Sequence, residues 1–184
     1  MTVVLGKWDL GLDFNEARIK LETTLRTLGT YLTMQTNRDK RNGTRFVYFS
    51  IAYIQLMNGS RVSEAIEALR EYVKTGKTEF SSLAKKTKVP RMFKIPKLIQ
   101  NYRYLYREYE DIVFKVTKKD VGQLLKKEFG WNTHSLRYAF IRHAIEKGYS
   151  AEVLALILGH KKIDTTLNYA RNIKAEKILE ELQE

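Results

Sequence analysis

Cationic and imidazole side chains occur where the sequence predicts that helices begin or end. Arg61 follows a predicted helix break, and His160 follows a glycine that ends another helix. His134 and Arg137 are three residues apart, so on a helix their side chains lie on one face. A guanidinium group donates two hydrogen bonds to a phosphate at once. Fixed cations also stabilise the charge that develops during transfer at phosphorus. These side chains therefore predict a site for a phosphodiester.

A tyrosine and a lysine-rich segment complete the candidate chemistry. Tyr169 lies nine residues after His160, and a tyrosine hydroxyl is a competent nucleophile once a base takes its proton. Residues 84–90 form a predicted hairpin tip that carries Lys86 and Lys88, and a lysine there can protonate a leaving oxygen. Each motif alone is common in structural roles. Their order and spacing together predict phosphoryl transfer, for which no metal ion or other cofactor is required.

Three segments of the sequence, in this order, resemble the conserved boxes of the tyrosine recombinases. That family comprises phage and plasmid integrases and the cellular recombinases that resolve chromosome dimers. The resemblance covers residues 46–170, roughly two-thirds of the chain. The boxes are Arg61-Val62-Ser63-Glu64, Thr133-His134-Ser135-Leu136-Arg137, and Leu158-Gly159-His160 followed by Thr165, Thr166 and Tyr169.

The resemblance implies a site-specific recombinase, or integrase, of a mobile element that cuts and rejoins DNA through a 3′-phosphotyrosyl intermediate. It implies Tyr169 as the nucleophile and a hairpin lysine as the general acid, which is Lys86 or, alternatively, Lys88. It further implies that Arg61 and Arg137 hold the scissile phosphate, and that Glu64 supports Arg61. His134 would accept the proton of Tyr169 or bind phosphate. His160 would donate to a non-bridging oxygen.

Other functions fit parts of the same pattern. A type IB DNA topoisomerase resembles this family in its residues and relaxes DNA without a partner strand. A non-catalytic DNA-binding module would share the basic charge but would form no covalent adduct. The small size and the Gly159-His160 pair favour the recombinase over the topoisomerase. A metal-dependent nuclease is disfavoured because the sequence offers no acidic cluster suited to Mg²⁺.

The amino-acid composition indicates which partners the chain can bind and where in the cell we expect it. The chain has 33 Lys and Arg against 21 Asp and Glu, a net charge of +12, which favours double-stranded DNA as the partner. It has no cysteine, which excludes disulfides and thiolate metal sites. No apolar run reaches the roughly 18 residues of a membrane span, and the first residues lack a signal-peptide pattern. We expect no membrane partner and a cytoplasmic, DNA-associated protein. The resemblance further implies self-association, as a dimer or tetramer on DNA.

Apolar spacing predicts a mainly α-helical fold with one small antiparallel β-hairpin. The hairpin strands are predicted at 78–83 and 91–95, and a loop is predicted at 37–43. Ser60 is expected to cap one helix, with Arg61 in its first turn, and Thr133 another. The predicted helices cover residues 14–32, 46–57, 61 onward, 97–109, 118–128, 134–147 and 151–158, followed by a last pair of turns that begins after Asp164 and contains Tyr169.

The chain length of 184 residues predicts a single catalytic domain over residues 1–184. Residues 1–45 form a lead-in and a helix, 46–170 the catalytic core, and 171–184 a C-terminal tail. Family members usually carry an N-terminal DNA-clamping domain. We expect that domain to be absent here, because residues 1–45 are too few to form it. The tail is acidic, so a protein surface suits it better than DNA.

Overall fold

The computed structural model describes residues 9–83 and 90–159, and their architecture is mostly helical with one two-stranded antiparallel sheet. The predicted fold class is therefore confirmed. The elements in chain order are α1 (Phe14–Met34), α2 (Lys40–Asn58), α3 (Val62–Thr75), β1 (Glu79–Leu83), β2 (Pro90–Lys94), α4 (Lys97–Asn101), α5 (Arg103–Glu108), α6 (Glu110–Lys115), α7 (Lys118–Phe129), α8 (Thr133–Glu146) and α9 (Ala151–Leu158).

The core is built around α2, which contacts α1, α3, α7 and α8. Its apolar run from Phe46 to Leu56 is almost entirely buried, as expected for a helix that is surrounded on most faces. On α1 only one stripe is buried, with Leu21 and Leu25 fully covered. The C-terminal end of α2 therefore has a fixed position, and the residues that follow it belong to the candidate site.

The predicted hairpin is confirmed, with Glu79 opposite Lys94 and Leu83 opposite Pro90. The predicted strand bounds differ by one residue from those observed. On the face toward the core, the rings of Phe80 and Phe93 stack with centroids 5.9 Å apart. The tip with Lys86 and Lys88 lies outside the described residues.

Three predicted helix starts are wrong, and in each case the N-cap residue differs from the prediction. Residues 40–43 are helical because the Asp39 carboxylate accepts the backbone N–H of Asn42 at 3.0 Å. Arg61, rather than Ser60, is the N-cap residue of α3. Asn132, rather than Thr133, caps α8 by accepting the backbone N–H of Ser135 at 2.9 Å. Thr117 caps α7 and Ser150 caps α9.

The single helix predicted over residues 97–109 is also wrong, because the chain forms α4, α5 and α6 with breaks at Tyr102 and Tyr109. Both rings lie against glycines of the first two helices. A Cβ atom on Gly29 would lie 2.5 Å from the Tyr102 ring, and one on Gly43 would lie 2.2 Å from the Tyr109 ring. The breaks in the helix thus occur at the two tyrosines that fill these notches.

Within the part of the chain that the structure describes, no helix is both long and apolar enough to cross a membrane. The predicted turns after Asp164 and the tail over residues 171–184 lie outside that part.

The notch at Gly43 gives a test of this packing. Gly43→Ala should lower the free energy of unfolding by about 1–3 kcal/mol, because the new methyl group collides with the buried Tyr109 ring. The matched control is Gly122→Ala in α7, where the nearest atom is 3.9 Å from the new Cβ. That change should raise the free energy of unfolding by about 0.5–1 kcal/mol. Denaturant titration measures both, and equal shifts would contradict the packing.

Candidate active site

The ends of α2, α8 and α9 meet at Arg137. Its Nη1 donates to the carbonyl oxygen of Gly59 at 2.7 Å, and its Nη2 donates to the carbonyl oxygen of Leu158 at 3.4 Å. Gly59 ends α2 in the left-handed conformation, at φ 56°. A buried guanidinium group thus joins the turn before Arg61 to the last turn before residue 160. Segments that are distant in sequence come together here.

Glu64 is the acidic centre of this cluster, with only 4% of its surface exposed. Its Oε2 accepts the backbone N–H of Arg61 at 2.9 Å, and its Oε1 accepts Nη1 of Arg61 at 3.1 Å. The first contact caps α3, and the second orients the Arg61 guanidinium. Glu64 thus lies directly against Arg61, the residue that it was predicted to support.

Arg91 is a third arginine of the cluster, and the sequence analysis gave it no role. Its side chain is fully buried on β2, with Nη1 donating to Oε2 of Glu64 at 2.9 Å and Nη2 donating to the carbonyl oxygen of Asn58 at 2.7 Å. The alternation of the strand contained a signal for this position. Arg91 shares the inward face with the buried Phe93 and Ile95, whereas Met92 is 65% exposed.

Asn58 attaches the same strand at a second point. Its Nδ2 donates to the carbonyl oxygen of Lys94 at 3.0 Å, and its Oδ1 accepts the backbone N–H of Lys94 at 3.0 Å. The amide group of Asn58 thus pairs with the backbone N–H and C=O of Lys94, as a neighbouring strand would. The hairpin is thus fixed to the end of α2, next to Arg61.

Burial and neighbouring positive charges lower the pKa values of two of these arginines, Arg91 and Arg137. Burial and the charges of Arg61 and Arg91 lower the pKa of Arg137 to about 10, so it stays charged at neutral pH. Burial also lowers the pKa of Arg91, and the Glu64 carboxylate opposes that shift. One carboxylate for three guanidinium groups leaves an excess of positive charge. Of the two arginines bound to Glu64, Arg61 is the more accessible, with a side chain that is 31% exposed.

His134 lies in the first turn of α8, on the side of the two arginines that were predicted to hold phosphate. Partial burial of its ring and the charges of Arg137 and Arg61 lower the pKa of His134 below its ordinary value. The imidazole is therefore neutral at neutral pH and can accept a proton. The helix start is fixed because Gln55 donates to the carbonyl oxygen of Thr133 at 2.7 Å.

Residues 9–14 hold α8 from its other side. The backbone N–H of Leu10 donates to Ser135 Oγ at 3.1 Å. Asp9 forms a buried ion pair with Arg142, and Phe14 stacks on His143 with centroids 4.3 Å apart. The sequence analysis predicted no contact for this irregular segment, since its partners lie more than 120 residues away. The lead-in therefore helps to position the helix that carries His134 and Arg137.

The structure thus brings together Arg61, Glu64, His134 and Arg137. The other predicted site residues, Lys86, Lys88, His160 and Tyr169, lie outside the described residues. Over residues 9–83 and 90–159, no group of three or more His, Asp or Glu side chains has the arrangement of a metal site. The described part of the site is an anchored cluster of cations with a neutral base beside it, which suits an anionic ester.

Comparisons with known proteins show the family of the chain. The model of the phage integrase family matches residues 11–176. The chain is 29% identical over 179 residues to ORF241 of Acidianus two-tailed virus, a protein named as an integrase, covering 97% of this chain and 70% of that one. It is 28% identical over 206 residues to V10 of Sputnik virophage, also named as an integrase, covering 94% of this chain and 89% of that one.

Among solved structures, the chain resembles the XerH site-specific recombinase bound to its palindromic difH substrate in a post-cleavage complex. The TM-score is 0.60 at 17% identity, over 97% of this chain and 54% of that one. A pre-cleavage complex of XerH gives a TM-score of 0.54 at 17% identity, over 91% of this chain and 52% of that one. This likeness is one of fold, and the chain spans about half the length of these structures.

The buried carboxylate gives the test of the cluster. Glu64→Ala should lower the free energy of unfolding by about 3–5 kcal/mol, because it leaves the guanidinium of Arg91 buried without its counterion. The matched control is Glu67→Ala on the same helix. Its side chain is 49% exposed and pairs with Arg70 at the surface, so the loss should stay below about 0.5 kcal/mol. Chemical denaturation compares the two, and similar losses would show that Glu64 is not the centre of the cluster.

Proposed function

The chain belongs to the phage integrase family, and we propose that it is a site-specific DNA recombinase that cuts and rejoins DNA through a 3′-phosphotyrosyl intermediate. The observation that carries this proposal is the anchored cluster of Arg61 and Arg137 around Glu64. Both guanidinium groups have fixed positions before a substrate arrives. Cations that need no rearrangement stabilise a phosphorane-like transition state most effectively.

The proposed reaction conserves the energy of the ester bond. The hydroxyl oxygen of Tyr169 attacks phosphorus while its proton passes to His134. The bond between phosphorus and the 5′-oxygen breaks, and a hairpin lysine, Lys86 or alternatively Lys88, protonates the leaving oxygen. A 5′-hydroxyl from another strand then gives its proton to the lysine and attacks the phosphotyrosine, and Tyr169 leaves with the proton that His134 returns. His160 donates to a non-bridging oxygen throughout.

We propose double-stranded DNA as the partner, held through contacts to its phosphates. The net charge of +12 supports this, as does the DNA-bound state of the XerH structures. Strand exchange joins strands from two DNA sites, and each cut needs its own nucleophile. We therefore infer self-association of the chain on DNA, as a dimer or tetramer, in which the acidic segment 171–184 contacts protein rather than DNA.

We assign residues 46–170 as the catalytic core of one catalytic domain. The contacts of residues 9–14 with α8, and of α1 with α2, support the inclusion of the N-terminal segment in the same unit. The described part of the chain has one large core and a smaller apolar cluster between α8 and α9, and Phe140 packs against both.

The proposal predicts a covalent adduct on a nicked suicide substrate. Wild-type protein in excess chelator should form a denaturation-resistant protein–DNA complex. Tyr169→Phe should bind DNA equally but form none, because it lacks only the attacking oxygen. Adduct formation by the variant would exclude Tyr169 as the nucleophile. If relaxation of DNA proceeds without any second site, the type IB topoisomerase is the better assignment, and a wild-type chain that binds DNA without adduct is a binding module.

The lowered pKa of His134 predicts a pH dependence of cleavage. The rate should be level near neutral pH and should fall only as the pH drops below the ordinary histidine range, about 6.5, because the neutral imidazole is the proton acceptor. His134→Gln should remove this acid limb along with much of the rate. His143→Gln is the matched control on the same helix and should keep the limb. An acid limb that persists in His134→Gln assigns the base elsewhere.

A further inference from the structure

We propose that Arg91 is a positioning residue for the reaction: it serves as the counterion of Glu64 and thereby holds the Arg61 guanidinium in place and free to bind the scissile phosphate. This inference rests on the proposed function. It concerns a residue that the motif analysis gave no role, on a strand that none of the three boxes includes.

The carboxylate of Glu64 is shared between the two arginines in an ordered way. Its Oε2 receives both Nη1 of Arg91 and the backbone N–H of Arg61, each at 2.9 Å. Its Oε1 receives only the Nη1 of Arg61 among the contacts of the described residues, at the longer distance of 3.1 Å. The tighter charged contact of the carboxylate is therefore with Arg91.

Arg91 cannot reach a DNA phosphate itself. Its side chain is 0% exposed, and its two Nη atoms are already bound to Glu64 and to the carbonyl oxygen of Asn58. The Asn58 contact fixes the direction from which Arg91 approaches the carboxylate. Its influence on a substrate must therefore pass through Glu64 to Arg61.

The charge balance gives this contact a function. The net charge of the Glu64–Arg91 pair is close to zero. The positive charge of Arg61 is therefore not cancelled and can act on an anion. Without Arg91, the full charge of Glu64 would act on Arg61 alone and would draw its guanidinium away from a bound phosphate. A misplacement of about 1 Å at a reacting centre can cost about 10²-fold in rate.

A double-mutant cycle on single-turnover adduct formation tests this coupling. Arg91→Met should slow cleavage by about 10²-fold when Arg61 is present. In an Arg61→Ala background, Arg91→Met should cost less than about twofold more, because the residue through which it acts is gone. Arg91→Lys retains the positive charge and should recover a large part of the rate. Lys94→Met, three positions along the same strand with an exposed side chain, is the control and should leave the rate unchanged.

A merely structural role for Arg91 would slow cleavage by the same factor in both backgrounds, and that result overturns the inference, as does an Arg91→Met variant as fast as wild type. Thermal unfolding confirms that each variant is folded at the assay temperature. If Arg91→Met is unfolded, the same cycle is run with Arg91→Gln, which removes the charge but keeps a polar side chain, and equal slowing in both backgrounds again overturns it. A wild-type chain that forms no adduct refutes the proposed function and this inference together, whereas an active wild type with an additive cycle refutes the role of Arg91 alone.

Discussion

The rest of the site depends on the contacts that the buried carboxylate of Glu64 makes with two arginines. It is buried, and its contacts reach the start of α3 through Arg61 and strand β2 through Arg91. Burying a charge costs several kcal/mol unless it is paired and hydrogen-bonded, so the two arginines and the carboxylate depend on one another. The turn between α2 and α3 and the hairpin therefore share one electrostatic anchor.

Contacts within the protein hold the cluster together, but its positive charges outnumber its negative charges. The pKa values of Arg91, Arg137 and His134 are all lowered, first by burial and then by neighbouring arginines. Such mutual repulsion is a cost of folding that an anion relieves when it binds. Under the proposed function, a phosphodiester would meet cations whose positions are already fixed. Such an arrangement stabilises the additional negative charge of the transition state more than the single negative charge of the ground state.

The sequence contained the parts of this site whose signals are local. Arg61, His134 and Arg137 could be predicted because each stands in a short motif near a helix end. The starts of helices were predicted less well, since neighbouring polar residues compete for the cap, and Asn132 rather than Thr133 has the geometry that reaches Ser135. The strand alternation places Arg91 on the inward face, but the partners of Arg91 and Asp9 could not be assigned, because they lie 27 and 133 residues away.

Burial separates the arginines of one cluster into different tasks. The guanidinium of Arg61 is partly exposed and can meet a ligand, whereas that of Arg91 is fully enclosed and can act only on its protein neighbours. Arg137 is also buried, but two of its partners are backbone carbonyl oxygens, from the ends of α2 and α9. Its nitrogens thus fix the relative position of the segments that precede Arg61 and residue 160. Under the proposed function, the contacts by which Arg137 orders its surroundings would also fix the orientation of its guanidinium toward a phosphate.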